Sequence, residues 1–186
     1  VFTAQKGGYS NLYIINKDGS GLRALTEDRY SDLQPAVSPD GKTIAFVSDR
    51  GEPGAEEELR FSNTRLFLYD IETGAITPLP HQEQGKNINP QWSPDGKSIA
   101  FISDRTGISN IFMLEPASGK LTRTTDILTG ISGITAESPA MSWNASGVVV
   151  FTAFDRGGFH IHVLENPEWL EVRKQQFPKP PDPPEV

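Results

Sequence analysis

Gln34-Pro35-Ala36-Val37-Ser38-Pro39-Asp40-Gly41-Lys42-Thr43-Ile44-Ala45-Phe46-Val47-Ser48-Asp49-Arg50 is restated almost residue for residue from Asn89 to Arg105. The second copy reads Asn-Pro-Gln-Trp-Ser-Pro-Asp-Gly-Lys-Ser-Ile-Ala-Phe-Ile-Ser-Asp-Arg. A looser copy runs from Ser138 through Trp143 and Gly147 to Phe151, Asp155 and Arg156, and the opening Val1-Phe2-Thr3-Ala4 fits the second half of the unit. With Phe2, Phe46, Phe101 and Phe151 as markers, the spacings are 44, 55 and 50 residues. Periods near 40–50 built only of short strands predict a β-propeller rather than a sandwich.

Each unit divides into four strands. Strand A ends in Val37, Trp92 or Trp143, ahead of the turn. Strand B follows as Thr43 to Ser48, Ser98 to Ser103 and Val148 to Ala153. Strand C is the aromatic run Asn11 to Ile15, Arg65 to Tyr69, Asn110 to Leu114 and His160 to Leu164. Strand D is Leu22 to Leu25, Ala75 to Leu79 and Lys120 to Thr124. Enrichment in Ile, Val, Phe and Tyr between Gly/Pro/Asp clusters favours strand over helix. In Ser-Pro-Asp-Gly, Pro presets the first central dihedral and Gly closes a type I turn. Asn144-Ala145-Ser146-Gly147 keeps only the Gly. Asp18-Gly19, Thr73-Gly74 and Ser118-Gly119 reverse the chain between strands C and D.

The strand order is B, C, D, two full sets, then A, B, C. The fold expected is therefore all-β, with about three and a half four-stranded antiparallel blades over residues 1–166. Residues 167–186 read as a Pro-rich linker or tail that prefers polyproline II geometry. An open arc would expose apolar faces and strand edges. The remaining blades are expected either from a longer chain or from self-association of arcs. Val1 already lies inside a strand-like run, so any export signal would lie upstream of it.

Composition narrows the function classes. The chain has 186 residues, a net charge of -7 and no Cys. The pI near 5.0 argues against a nucleic-acid partner. No apolar run approaches a helical membrane span. Zero Cys excludes disulfides, a thiol nucleophile and Cys-type zinc sites.

Ser-Pro-Asp-Gly-Lys-x-Ile-Ala-Phe-x-Ser-Asp-Arg, followed by Asn-(Ile/Leu)-(Phe/Tyr) and a Gly turn, resembles the repeat of TolB-type propellers, from Val1 to about Asn166. The resemblance implies one of three settings: periplasmic TolB with its envelope partners, the gating propeller of prolyl oligopeptidase-like or tricorn-like peptidases, or blades that precede an outer-membrane barrel. Thr129 to Ile134, Ser138-Pro139-Ala140 and Gly157-Gly158-Phe159 look most like the third. Resemblance alone implies a periplasmic or cell-envelope location. Fold likeness does not assign function.

Several motifs have a bland and a sharp reading. Asp49-Arg50, Asp104-Arg105 and Asp155-Arg156 recur with the unit, so they are expected to anchor the B–C loop by hydrogen bonding rather than to catalyse. Asn16-Lys17-Asp18-Gly19-Ser20-Gly21 with Glu27 matches the spacing of a calcium loop, but strands flank it and strand D carries Glu27 away. It reads as a C–D turn. His160 and His162 share one face of a strand, yet His81 lies in another blade, so they read as polar residues on an outer strand and no metal is expected. There is no Gly-x-Ser-x-Gly, His-Glu-x-x-His or dinucleotide fingerprint, so no catalytic residue and no cofactor are assigned.

The long connections are Gly51 to Asn63, Pro80 to Ile88 and Asp126 to Glu137, all at the B–C and D–A end. Variable loops on a rigid scaffold are where binding concentrates. Glu56, Glu57, Glu58, Arg60 and Phe61, with His81 on the neighbouring connection, are the candidate contacts for a protein partner, Phe61 being an apolar anchor. The function expected is a non-catalytic interaction scaffold of a bacterial envelope protein. The alternative is a substrate-gating propeller whose serine peptidase domain lies outside this chain.

Overall fold

The computed structural model describes residues 1–51, 63–135 and 138–165. They form four antiparallel sheets and no helix among the described residues. Blade 1 is β1 (Phe2–Lys6), β2 (Tyr9–Ile14) and β3 (Arg23–Ala24). Blade 2 is β4 (Asp32–Val37), β5 (Thr43–Ser48), β6 (Arg65–Asp70) and β7 (Ile76–Pro78). Blade 3 is β8 (Asn87–Trp92), β9 (Ile99–Ser103), β10 (Asn110–Glu115) and β11 (Lys120–Arg123). Blade 4 is β12 (Met141–Trp143), β13 (Val148–Asp155) and β14 (Gly158–Glu165). In each blade the strands lie in chain order, so successive connections alternate between its two ends. This is the expected all-β propeller arc. The outermost strands β3 and β7 are shorter than their apolar runs suggest.

The Ser-Pro-Asp-Gly turn locks itself. Gly41 N donates to Ser38 O at 2.9 Å, with Gly41 at φ 74°, where a side chain would be strained. Ser38 Oγ donates to Asp40 Oδ1 at 2.6 Å and accepts from Thr43 N at 3.0 Å. Ser93 and Asp95 repeat the arrangement. These bonds hold both Asp carboxyls below their ordinary range, with the Ser hydroxyl as the main cause.

The marker phenylalanines explain the stacking. Each pairs with an aromatic ring on its own strand C: Phe2 with Tyr13, Phe46 with Phe67, Phe101 with Phe112, Phe151 with His162. Phe46 packs with Leu12 of blade 1, and Phe101 with Val47 and Leu66 of blade 2. Strands β5 and β9 are buried on both faces, which is why they read as continuous apolar runs rather than alternating ones. At the two ends of the arc apolar side chains open outward. Phe2 is 38% exposed, whereas Phe46 and Phe101 are fully buried. On the outer face of blade 4, Phe159 and Ile161 are 66% and 75% exposed.

A second link joins the innermost strands. Gln34 and Asn89 sit at left-handed φ values of 51° and 56°, each at a register shift in its strand pair. Gln34 Oε1 accepts from Asn89 N at 2.6 Å, and Asn89 Oδ1 accepts from Ala140 N and Met141 N at 2.9 and 2.8 Å. Trp92 Nε1 donates to Ala36 O at 3.0 Å. Blades 2, 3 and 4 are thus joined by polar bonds as well as by apolar packing.

Candidate functional site

The site of interest is the end of the stack where the B–C and D–A connections emerge. Residues 52–62 lie outside the described residues, and with them Glu56, Glu57, Glu58, Arg60 and Phe61. His81 is described: it has φ 61°, and its Nε2 lies 3.0 Å from Gly119 O, in the turn between β10 and β11. The ring therefore bridges blade 2 to blade 3. Between Asp126 and Thr135, Leu128 is two-thirds exposed and Ile134 fully so. The loop doubles back on itself where Thr135 N donates to Ser138 Oγ at 3.0 Å.

The Asp-Arg pairs behave differently from expectation. Asp49 Oδ1 accepts from Ser31 N at 2.8 Å and Asp104 Oδ1 from Lys86 N at 2.6 Å. Both carboxylates anchor the incoming D–A connection, and in blade 3 the main-chain oxygen of Asp104 also closes the B–C turn by accepting from Gly107 N at 2.7 Å. The third pair is out of register. Arg50 and Arg105 stand four residues after their phenylalanines, but four after Phe151 stands Asp155. Arg156 instead occupies a two-residue hairpin with Gly157, both at positive φ, and is largely exposed. Two-residue hairpins favour such turns because their twist matches that of the strands.

The two in-register arginines have contrasting surroundings. Arg50 Nη1 donates to Asp28 Oδ2 at 2.6 Å and Nη2 to Asp32 Oδ2 at 2.7 Å, while the guanidinium lies 4.9 Å from the Tyr30 ring centre. Asp32 is fully buried and also accepts from Ser48 Oγ at 2.7 Å. Burial pushes the Asp32 carboxyl up, against the Ser48 and Thr26 hydroxyls and the Arg50 charge. In blade 3 the equivalent of Asp32 is Asn87. Arg105 Nη2 donates to Asn87 Oδ1 at 2.7 Å and Nε to Ser103 Oγ at 3.0 Å. Its guanidinium lies 5.3 and 4.9 Å from the Phe101 and Phe112 ring centres. Burial lowers the Arg105 pKa, and Glu83 opposes this at longer range.

The turn at Asn16 spends its oxygens internally. Asn16 Nδ2 donates to Ser20 Oγ at 3.1 Å, and Ser20 N and Oγ donate to Asp18 Oδ1 at 2.9 and 2.7 Å. Glu27 accepts from Lys6 Nζ at 2.8 Å, away from the turn. His162 is not a solvent-facing residue of an outer strand. It fills the aromatic slot opposite Phe151, with ring centres 5.4 Å apart, and faces blade 3. Among the described residues no group of three or more His, Asp or Glu side chains is placed to hold a metal ion.

Comparison with known proteins places the chain. Residues 38–186 match the family described as the dipeptidyl peptidase IV (DPP IV) N-terminal region. An uncharacterized peptidase of Bacillus subtilis, YuxL, is 31% identical over 68% of this chain and 18% of its own length. A TolB homolog of Chlorobium luteolum is 33% identical over 64% of this chain and 35% of its own length. The chain thus spans about a third or less of these two relatives. The structure of a TolB protein from Agrobacterium tumefaciens superposes with a TM-score of 0.68 at 24% identity, over 87% of this chain and 55% of that one. A repeat that builds TolB-type blades, in an arc that superposes on a TolB structure, leads to one assignment: the chain belongs to the dipeptidyl peptidase IV N-terminal region family and is a β-propeller of the TolB type.

Proposed function

We propose that this chain is a non-catalytic interaction scaffold, the TolB-like propeller of a bacterial cell-envelope protein, and that it docks a protein partner on the end bearing the long connections. The observation that carries the reading is that the two longest connections, from β5 to β6 and from β11 to β12, emerge at one end of the stack. At the other end the connections are shorter, and the Ser-Pro-Asp-Gly turns are closed by their own hydrogen bonds. Exposed apolar side chains on such loops, here Leu128 and Ile134, are the kind that a partner covers. Relatives named TolB homolog support the envelope setting.

The test is recovery of partners from envelope extracts on immobilised protein, with Glu56, Glu57 and Glu58 replaced by Ser. The proposal expects the variant to lose most of the captured protein while its circular dichroism is unchanged. Undiminished recovery would sink the role of the acidic run.

The second reading is a propeller that restricts access to a serine peptidase domain. The match to a peptidase N-terminal region and the relative named as a peptidase favour it. A fluorophosphonate probe applied to source cells separates the two. Labelling of the species recognised by an antibody to this chain supports the peptidase, and absence of label on that species supports the scaffold.

A further inference from the structure

Among the described residues of the loop-bearing end, Arg105 is a cation that the scaffold leaves half used. Blade 2 gives the equivalent Arg50 two carboxylates at hydrogen-bond distance. Blade 3 gives Arg105 only neutral acceptors, the Asn87 amide and the Ser103 hydroxyl. Among the described residues no carboxylate lies within ion-pair distance of it. The guanidinium is nevertheless held in place, with Phe101 and Phe112 behind it and Nε and Nη2 bonded. Among the described residues Nη1 has no hydrogen-bond partner, and it is not fully buried.

A cation partly stripped of water, fixed in orientation and offering a free N–H edge is the arrangement that binds a carboxylate with little ordering cost. We infer that Arg105, backed by Phe101, Phe112, Ser103 and Asn87, is a carboxylate-binding subsite that receives an acidic side chain of a peptide docked on the loop-bearing end. The inference rests on the proposed docking reading for its biological setting, but its chemistry is independent of the partner. Arg50 is not a second such site, because Asp28 and Asp32 already occupy both of its Nη groups. The lowered pKa of Arg105 agrees, since a carboxylate placed at Nη1 would offset the burial that causes it.

The experiment follows the Arg105 Nε–Hε resonance of the chain by NMR during titration with N-acetyl-glutamate α-amide, and with N-acetyl-glutamine α-amide as the uncharged isostere. The expected result is a saturable shift with the Glu probe and none with the Gln probe. Asn87→Asp would supply the internal carboxylate that Asp32 supplies in blade 2, and should abolish the response. Arg105→Lys, which loses the planar fork, should weaken probe binding by about tenfold, followed on backbone amides of β9. No saturable shift, an equal response to both probes, or an undiminished response in Asn87→Asp with an otherwise unchanged spectrum would overturn the subsite. Probe binding that fails while partner capture on the loop end persists overturns the subsite alone. Probe binding that persists when the loop end captures no partner supports the subsite and overturns the docking reading.

Discussion

Replacing Arg50 with Met is expected to lower the unfolding free energy by about 3–5 kcal/mol, because it strands the Asp32 carboxylate in a site with no access to water. Asp28, which is part-exposed, can recover solvent, but Asp32 cannot. Most of the loss therefore resides in one buried charge. Asp32→Asn in the same background should restore stability to within about 2 kcal/mol of the unsubstituted chain, since an amide at this position is what blade 3 uses at Asn87. The pH dependence has a definite sign. Burial raises the folded-state pKa of Asp32 above its unfolded value, so the folded state binds the proton more tightly and this group favours folding more as pH falls. The Arg50→Met penalty is accordingly greatest at neutral pH and shrinks as pH drops to and below the raised Asp32 value. Urea unfolding at several pH values measures it. A penalty independent of pH, or no rescue by Asp32→Asn, would refute the assignment.

The second large effect separates two phenylalanines at the same place in the repeat. Phe101→Ala should cost about 3–5 kcal/mol, because its ring is fully buried between blades 2 and 3 and the cavity has rigid walls. Phe2→Ala in this chain should cost less than about 1 kcal/mol, because its ring is 38% exposed and no preceding blade among the described residues covers it. In a ring or assembly that supplies that blade, Phe2→Ala should approach the Phe101 value. Equal costs for the two in the isolated chain would show that something already covers Phe2.

Much of this was legible because the repeat exposes itself as near-identical residues. The Ser-Pro-Asp-Gly turns and the Phe spacing locate strands A and B, and aromatic runs locate strand C. Two features were not visible for physical reasons. The Asp155-Arg156 dipeptide imitates the earlier pairs, but one residue of register separates a strand-end anchor from a hairpin turn, and only the pairing of β13 with β14 reveals it. His162 looks polar in isolation, yet the slot opposite each marker phenylalanine asks for a flat ring, and imidazole supplies one. Gln34 and Asn89 do carry a signal: an amide side chain stands before Pro in both strong units, and both residues take left-handed backbone. The contrast between Arg50 and Arg105 was also on the page, as Asp32 against Asn87. Its meaning required knowing which side chains meet across the D–A connection.

In the proposed function the loop-bearing end is the working surface. A photoreactive amino acid placed at Leu128 or Ile134, and in separate variants at Thr73 or Ala117 in the opposite turns, tests this most directly in intact source cells. Intermolecular adducts to another protein are expected from Leu128 and Ile134, and none from Thr73 or Ala117. Adducts confined to the turn end, or equal from both ends, would contradict it.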